Sequence, residues 1–360
     1  MQNRIEPTFR SKKLAQSVQE KDKTGPMDVR FVGTAGEYFG IWIVNVILSI
    51  ITIGVYSAWA KVKREVYFKS NTLIGTAPFG YHATGFQIFK GRLIAFVLLV
   101  VINIVSTFFP LAAGAAVVIL FFLFPVIINN SMRFAARMTS FRNIRFNWHG
   151  TYLKSFWYFA IAPIVSVLSL GLLMPLISKS YYAYFANSHS YGTSRFSCEP
   201  RARDYYIAFG LGVVLPVILI IFAAILFVVT SDIGSYSWAE PLAQLIPAAL
   251  ILAILLGLSV YRVICRNLML RSMTLLNVAT FESKINPLRY VWIRFSNMIV
   301  AILTLGLMIP WANVRAHKYL SDCSGVNVTG DLDQFIDEAT KNKSSLGEEF
   351  AELEGFEVNV

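Results

Sequence analysis

The sequence predicts an all-α polytopic integral membrane protein with degenerate internal repeats, and three observations support this prediction. Hydrophobic residues make up 56% of the 360 residues, and the mean hydropathy is +0.57. Charged residues make up only 15%, against about 25% in ordinary soluble domains. Long stretches carry little or no charge, and one glycine-centred pattern occurs three times.

Two long apolar stretches predict two transmembrane hairpins. Residues 93–132 contain no charged side chain, and residues 205–261 contain no lysine or arginine. About 20 apolar residues are enough to cross a bilayer as a helix. Each stretch is therefore long enough for two spans joined by a short loop, near Pro110 in the first hairpin and near Ser235 in the second.

The glycine-centred pattern indicates an internal repeat. Three segments align without gaps on Gly54, Gly171 and Gly306, at offsets of 117 and 135 residues. The first reads YFGIWIVNVILSIITIGVYSAWAKVKREVYF, and the other two begin SFWYFAIAP and YVWIRFSNM. The same offsets align several further residues, namely Tyr67 with Tyr184 and Tyr319, Trp59 with Trp311, Asn45 with Asn297, and Lys63 with Arg315. So many coincidences favour duplication within the chain.

Two topologies for the glycine-marked segments remain open. Each segment has enough apolar residues to span, and glycine is common in membrane helices. Seven straight spans, however, place thirteen basic residues on each side, whereas basic residues normally concentrate on the cytoplasmic side. If the three segments enter and return, all of these basic residues lie on one side. Gly54, Gly171 and Gly306 are then the candidate helix breaks, because glycine adopts turn geometry at little cost.

The flanks of these segments differ from helices. Stretches such as MDVRFVGTAG and TSFRNIRFNWHGT are short, rich in Gly, Thr and aromatic residues, and partly alternating. We expect them to form short extended elements at the membrane interface. The predicted organisation is a flexible polar N-terminal tail (1–27), membrane repeats 1 (28–137) and 2 (138–272), a truncated membrane repeat 3 (273–330) and an acidic C-terminal tail (331–360).

Polar residues near or within the apolar segments are the candidate functional residues. The interface and lipid-binding candidates are Trp59, Lys61, Lys63, Arg64, Tyr67, Trp311, Arg315 and Tyr319, because cations bind anionic head groups and Trp and Tyr anchor at the same depth. The intramembrane polar candidates are Asn45, Asn297 and Arg294. The simpler interpretations are topology marking for the cations, interhelical hydrogen bonding for the asparagines, and snorkelling for Arg294.

The stretch GEYFGIWIVNVILSIITIGVYSAWAKVKREVYFKSNT resembles the signature of the YjgN family of bacterial inner-membrane proteins, a domain of unknown function. The resemblance covers most of the chain and is strongest over residues 31–95 and 290–319. The middle copy departs from it, with Leu176, Ser178 and Ser180 in place of Trp59, Lys61 and Lys63. The resemblance implies a multi-pass protein of the bacterial inner membrane, and it implies no catalytic residue.

These observations predict a membrane transport or lipid-handling protein, with a membrane scaffold or interaction protein as the alternative. We expect no enzyme activity and no cofactor or metal site, because the histidines and cysteines have no ligand or catalytic spacing. The expected partners are membrane lipids, and a protein partner could bind the acidic tail. Nucleic acid is not expected, because the net charge of +11 is spread along membrane boundaries. The polar N-terminus is expected to be cytoplasmic.

Overall fold

A computed structural model describes residues 25–230, 245–275 and 278–330 of the protein. The acidic tail, the loop near Ser235 and most of the N-terminal tail lie outside the described residues. Within these residues, short strands alternate with long helical excursions. The strands are β1 (Gly25–Phe31), β2 (Thr72–Ile74), β3 (Ala77–Tyr81), β4 (Thr139–Phe141), β5 (Ile144–Trp148), β6 (His189–Tyr191), β7 (Ser194–Cys198), β8 (Met273–Leu275), β9 (Ala279–Ser283) and β10 (Ser324–Val328).

The strands form a closed antiparallel barrel, so the all-α prediction is wrong. In the described part of the chain each strand pairs with its neighbours in the order β1-β10-β9-β8-β7-β6-β5-β4-β3-β2. Gly25 of β1 pairs with Val328 of β10, which closes the barrel between residues about 300 positions apart. The expected extended elements are therefore strands of one sheet. Closure stabilises such short strands because it leaves no unpaired edge.

The helices of the described residues leave the barrel and return to it. They are α1 (Ala35–Ile51), α2 (Ser57–Ser70), α3 (Gly85–Phe108), α4 (Pro110–Arg137), α5 (Tyr152–Phe156), α6 (Ala162–Leu168), α7 (Met174–Asn187), α8 (Ala202–Phe209), α9 (Leu215–Thr230), α10 (Ile246–Arg271), α11 (Pro287–Leu303) and α12 (Ile309–Asp322). A π-helical turn joins α5 to α6 (Trp157–Ile161), and another joins α8 to α9 (Gly210–Val214).

Every excursion begins and ends at the same end of the barrel, which we call the helix end. The strand before each excursion pairs with the strand after it, and the residues at the helix end are partners in this pairing. The pairs are Phe31 with Thr72, Tyr81 with Thr139, Trp148 with His189, Cys198 with Met273, and Ser283 with Ser324. The opposite end carries tight turns, for example at Gly75, Arg142–Asn143 and Gly192, which have positive φ.

The excursions stand side by side in a ring over the helix end. Neighbouring excursions contact each other through α2 and α3, α4 and α5, α7 and α8, and α10 and α11. Helix α12 contacts α1, which closes the ring. The ring therefore follows the order of the barrel, and residues distant in sequence meet between its first and last members.

The barrel has the polarity of a water-soluble barrel. Its interior is apolar and includes Met27, Phe141 and Val326, whereas exposed charged residues such as Asp28 and Arg145 lie on its outer face. Membrane barrels have the opposite arrangement, with an apolar outer band. The barrel therefore belongs in water, and the apolar parts of the helices belong in the membrane.

The excursions reach different distances from the barrel. In the described residues, four helical stretches are long and apolar enough to cross a membrane: 85–108, 113–137, 202–227 and 246–271. They make up the two predicted hairpins. At about 1.5 Å per residue, α1 extends about 26 Å and α2 about 21 Å. Helix α1 has no basic residue, whereas α2 carries Lys61, Lys63, Arg64 and Lys69 between its fifth residue and its end at the barrel.

Candidate functional site

Each glycine-marked segment is a helix–turn–helix in the structure. Helix α1 ends at Ile51 and α2 begins at Ser57, with Gly54 at φ +86° between them. Gly171 and Gly306 occupy the same place, at φ +83° and +89°. The residue before each glycine also has positive φ and is at least 91% exposed; these residues are Ile53, Leu170 and Leu305. Each of these three excursions therefore reverses direction at an exposed apolar tip, whereas the sequence was also compatible with a straight helix.

A hydroxyl residue two positions before each glycine supports the turn. Thr52 Oγ1 donates to the carbonyl of Leu48 at 2.7 Å and accepts from the N–H of Tyr56 at 2.9 Å. Thr304 repeats both bonds, and Ser169 Oγ accepts from the N–H of Leu173 at 3.3 Å. Unpaired backbone groups are costly in hydrocarbon, so this side chain makes the turn compatible with an apolar surrounding. Sequence reasoning missed these residues, although their recurrence two positions before each glycine was a readable signal.

The recurring tyrosines connect the two ends of an excursion. Tyr67 at the end of α2 donates to the carbonyl of Thr34 at 2.7 Å, at the start of α1. Tyr319 contacts Asn286 in the same way, donating to its carbonyl at 3.3 Å. Tyr184 lies 2.8 Å from Ser155 Oγ, one turn further into the helix. Burial raises the pKa of Tyr67, and the nearby Glu37 raises it further, so this phenol remains a donor at neutral pH.

The predicted interface tryptophans have different surroundings. Trp59 packs against α3: a Cβ built on Gly85 would lie 2.3 Å from its ring, and the ring centroid lies 5.7 Å from that of Phe89. Trp311 instead lies under the guanidinium of Arg315, at 5.1 Å. Trp59 thus joins two excursions, whereas Trp311 contacts a residue of its own helix.

The asparagines predicted to lie within the membrane are both buried, and their partners differ. Asn297 donates to the carbonyl of Ala312 at 2.8 Å and accepts from Arg315 at 3.1 Å. Asn45 is 7% exposed, and its Oδ1 has no hydrogen-bond partner in the described part of the protein. Lys63, which aligns with Arg315, instead lies over the ring of Tyr56 at 5.6 Å.

The remaining predicted polar residue, Arg294, lines a groove between α10, α11 and α12. The groove measures about 850 Å³, and Asn297, Arg262 and Arg266 also line it. Two of the three intramembrane candidates therefore share one cavity. Asn45 lines a separate pocket, described below, which also contacts α12.

The interior of the barrel holds a second cavity, of about 450 Å³. Its wall is apolar and rich in aromatic rings contributed by β3, β4, β5, β6, β7 and β9, namely Phe79, Phe141, Phe146, Tyr191, Phe196 and Phe281. The volume falls in the range of about 300–1,000 Å³ that is typical of small-molecule sites. We call this cavity the barrel chamber. Sequence reasoning missed it because it exists only once the barrel closes.

Polar side chains surround the mouth of the chamber at the helix end of the barrel. Arg266 lines both the chamber and the groove, and it donates to Ser283 Oγ at 3.1 Å and to Ser324 Oγ at 3.4 Å. On the other side of the mouth, His317 Nε2 lies 2.9 Å from Thr72 Oγ1. Burial, assisted by Arg64, lowers the pKa of His317 to about 4, so it is neutral at physiological pH.

No group of three or more His, Cys, Asp or Glu residues suited to a metal ion occurs in the described ranges 25–230, 245–275 and 278–330. The three cysteines are free; Cys198 and Cys265 are buried and Cys323 is half-buried. The arrangement suits apolar and anionic molecules: an aromatic chamber with a cationic mouth beneath membrane helices.

The chain matches one family model and three proteins that share one name. Residues 26–353 match the model of a family described as "Bacterial protein of unknown function (DUF898)". The inner membrane protein YjgN of Salmonella typhimurium is 22% identical over 364 residues, covering 88% of this chain and 91% of that protein. The inner membrane proteins YjgN of Escherichia coli O157:H7 and strain K12 are each 30% identical, over 49% of this chain and 44% of their own length.

No solved structure matches the chain. The four helical stretches long enough to cross a membrane agree with the location in the names of these relatives. Since the family model covers most of the chain and the relatives share one name, the chain belongs to the YjgN (DUF898) family of bacterial inner membrane proteins.

Proposed function

We propose that this protein handles membrane lipids by accepting the apolar part of one amphiphile into the barrel chamber. The observation that carries the proposal is the position of Arg266, which lines both the chamber and the groove among the membrane helices. One guanidinium therefore stands where an apolar compartment meets a polar mouth. A molecule with a hydrocarbon chain and an anionic head group fits both surfaces.

The polarity of the chamber supports an amphiphile over a polar solute. Its lining is mostly apolar and includes Phe146, Phe196 and Leu275, and the hydroxyl of Tyr191 is already bonded to the carbonyl of Phe141 at 3.0 Å. Each methylene moved from water to such a surface contributes about 0.8 kcal/mol. A polar solute would instead lose hydrogen bonds to water without replacement. An apolar chain gains free energy from entry, so the chamber favours it.

The distribution of charge supports a cytoplasmic barrel. In the first hairpin the basic residues lie in the barrel-proximal parts of the helices, with Lys90 and Arg92 in α3 and Arg133 and Arg137 in α4. Positive residues concentrate on the cytoplasmic side of bacterial membrane proteins. The proposal therefore places the chamber at the cytoplasmic surface of the inner membrane, with the cytoplasmic leaflet as the source of the amphiphile.

Binding of a fluorescent fatty acid, dansyl-undecanoate, to the detergent-solubilised protein tests the proposal. Ala279 lines the chamber, so Ala279→Phe fills it and should weaken binding at least 10-fold. Thr274→Phe places the same ring on the exposed outer face of β8 and should leave binding unchanged. Circular dichroism and gel filtration of each variant report whether the fold is kept.

Arg266→Gln provides a second measurement that does not depend on filling the chamber. It removes the positive charge and keeps hydrogen-bond donors, so the fatty-acid probe should bind about 5–10-fold more weakly. The dansyl amide of the same chain length, which has no carboxylate, should bind equally to both proteins. Failure of the parent protein to bind either probe would refute lipid handling through the chamber and favour the scaffold alternative.

A further inference from the structure

We infer that the pocket between α1, α2 and α12 binds the head group of a phospholipid that carries an ammonium beside its phosphate. The pocket measures about 560 Å³ and lies outside the barrel. The polar residues that line it are Tyr38, Asn45, Ser49, Ser57, Lys61, Arg64, Glu65, Arg92 and Asn313. The inference concerns a site separate from the barrel chamber and stands or falls independently of it.

The unpaired oxygen of Asn45 is the first reason. Asn45 is 7% exposed, and its Oδ1 is buried with no hydrogen-bond partner among the residues that the structure describes. A buried acceptor without a donor costs about 1–3 kcal/mol. Because this oxygen is closed to solvent, a ligand reaches it when the amide of Asn45 rotates and presents the oxygen to the pocket that the residue lines. An ammonium group there brings three donors.

In the third copy of the repeat, the equivalent asparagine oxygen has a cationic hydrogen-bond donor. There Asn297, the counterpart of Asn45, accepts a hydrogen bond from Arg315 at 3.1 Å. In the first copy Lys63 replaces this arginine and its ammonium lies over Tyr56, at 5.6 Å from the ring centroid. The cationic donor that the third copy supplies from its own chain is thus absent beside Asn45. The ammonium of a ligand would take its place.

The cationic side chains that line the same pocket would bind the phosphate of the head group. Lys61, Arg64 and Arg92 line it, and Arg92 is held by a hydrogen bond to Ser57. One carboxylate, Glu65, is also present and suits an ammonium. A group of three cations and one anion matches a zwitterionic head group, because a phosphate and an ammonium lie a few bonds apart in it.

The depth of the pocket suits a lipid rather than a free solute. Along the helix axes, Asn45 lies about 15 Å from the start of α1 and Arg92 about 10 Å from the start of α3. Towards the exposed tip at Ile53 the lining adds the apolar side chains of Val46, Ile50 and Ile309 beside the hydroxyls of Ser49 and Ser57. A lipid with its head group at the cations would therefore extend its chains along the apolar part of the excursion.

The test measures the rise in melting temperature of the delipidated protein in detergent on addition of phosphatidylethanolamine or phosphatidylglycerol. The parent protein should be stabilised more by phosphatidylethanolamine. Asn45→Leu should abolish this preference, whereas Asn103→Leu, at an exposed position of α3, should retain it. Arg64→Ala should reduce stabilisation by both lipids, and Lys63→Ala, which removes the same charge outside the pocket lining, should not.

Glycerophosphoethanolamine and inorganic phosphate separate the possible sources of the head group. We expect neither to reproduce the stabilisation at 1 mM, because both lack the chains. Equal stabilisation by inorganic phosphate would overturn the lipid assignment. An unchanged lipid preference in Asn45→Leu would overturn the role of its oxygen. Neither result affects the binding of dansyl-undecanoate, so the proposal for the barrel chamber is tested separately.

Discussion

Tyr67 Oη donates a hydrogen bond of 2.7 Å to the carbonyl oxygen of Thr34, the residue that caps helix α1. The two residues are 33 positions apart, and the whole first excursion lies between them. This bond holds together the two points at which the excursion leaves the barrel and returns. Gly33 permits the approach, because a Cβ there would lie 2.7 Å from the same hydroxyl.

Loss of this hydroxyl should destabilise the protein. Tyr67→Phe leaves the ring stacked on Tyr38 but removes the donor, and we expect a loss of about 1–2 kcal/mol in the free energy of unfolding. The measurement is denaturant or thermal unfolding in detergent. Tyr206→Phe is the matched control, because Tyr206 is 45% exposed on α8. Equal stability of the two variants would show that the bond has no net effect.

The helical part of the fold could be predicted because each helix carries its own signal. Two long apolar stretches indicated the hairpins, and the aligned glycines mark the turns between α1 and α2 and between α11 and α12. Hydropathy along the chain records which local segment is apolar. It therefore identified the membrane elements without information about tertiary contacts.

The barrel could not be predicted in the same way, because its strands are three to seven residues long and pair across the excursions. The alternation in Met27-Asp28-Val29-Arg30-Phe31 is a local strand signal, with the apolar residues facing inward. The partner of Gly25, however, is Val328, and nothing local to either residue specifies that pairing. The barrel chamber and its mouth depend on this closure, so they could not be inferred.

For the candidate residues too, the sequence indicated the positions but not the side-chain contacts. The alignment pairs Asn45 with Asn297, and both are buried. It could not show that Arg315 donates a hydrogen bond to Asn297 whereas Lys63 points towards Tyr56 and not towards Asn45. That difference depends on side-chain direction. Arg266 had no counterpart in the repeat and was not singled out.

A close crossing in the second hairpin should be sensitive to one methyl group. A Cβ on Gly257 of α10 would lie 2.4 Å from the carbonyl oxygen of Gly212 in the neighbouring π-helical turn. Gly257→Ala should therefore cost about 1–3 kcal/mol, since backbone must move to accommodate it. Gly114→Ala, with nothing within 4 Å, should be neutral or stabilising by up to about 1 kcal/mol. Melting temperatures in detergent compare the two; a stable Gly257→Ala would contradict the crossing.

His317 should make stability depend on pH. Burial lowers its pKa from 6.5 to about 4 in the folded protein, so the unfolded chain binds a proton first as the pH falls. The contribution of the neutral imidazole is complete above pH 6.5 and is lost between pH 6.5 and 4, by roughly 1–3 kcal/mol. His317→Gln should flatten this part of the stability profile while His82→Gln, as a comparison, retains it. Parallel profiles for the parent protein and His317→Gln would contradict the prediction.

Cysteine labelling should place the whole barrel on one side of the membrane. Asp28→Cys and Arg145→Cys, in a background without native cysteines, lie on the outer face of β1 and β5. Straight glycine-marked spans put these two positions on opposite sides, whereas excursions that enter and return put both in the cytoplasm. We expect an impermeant maleimide to label both only after the membrane is opened. Ile53→Cys, at an exposed apolar tip, should react in detergent but from neither side of intact membranes. Labelling of Arg145→Cys from the outside would rule out a cytoplasmic barrel.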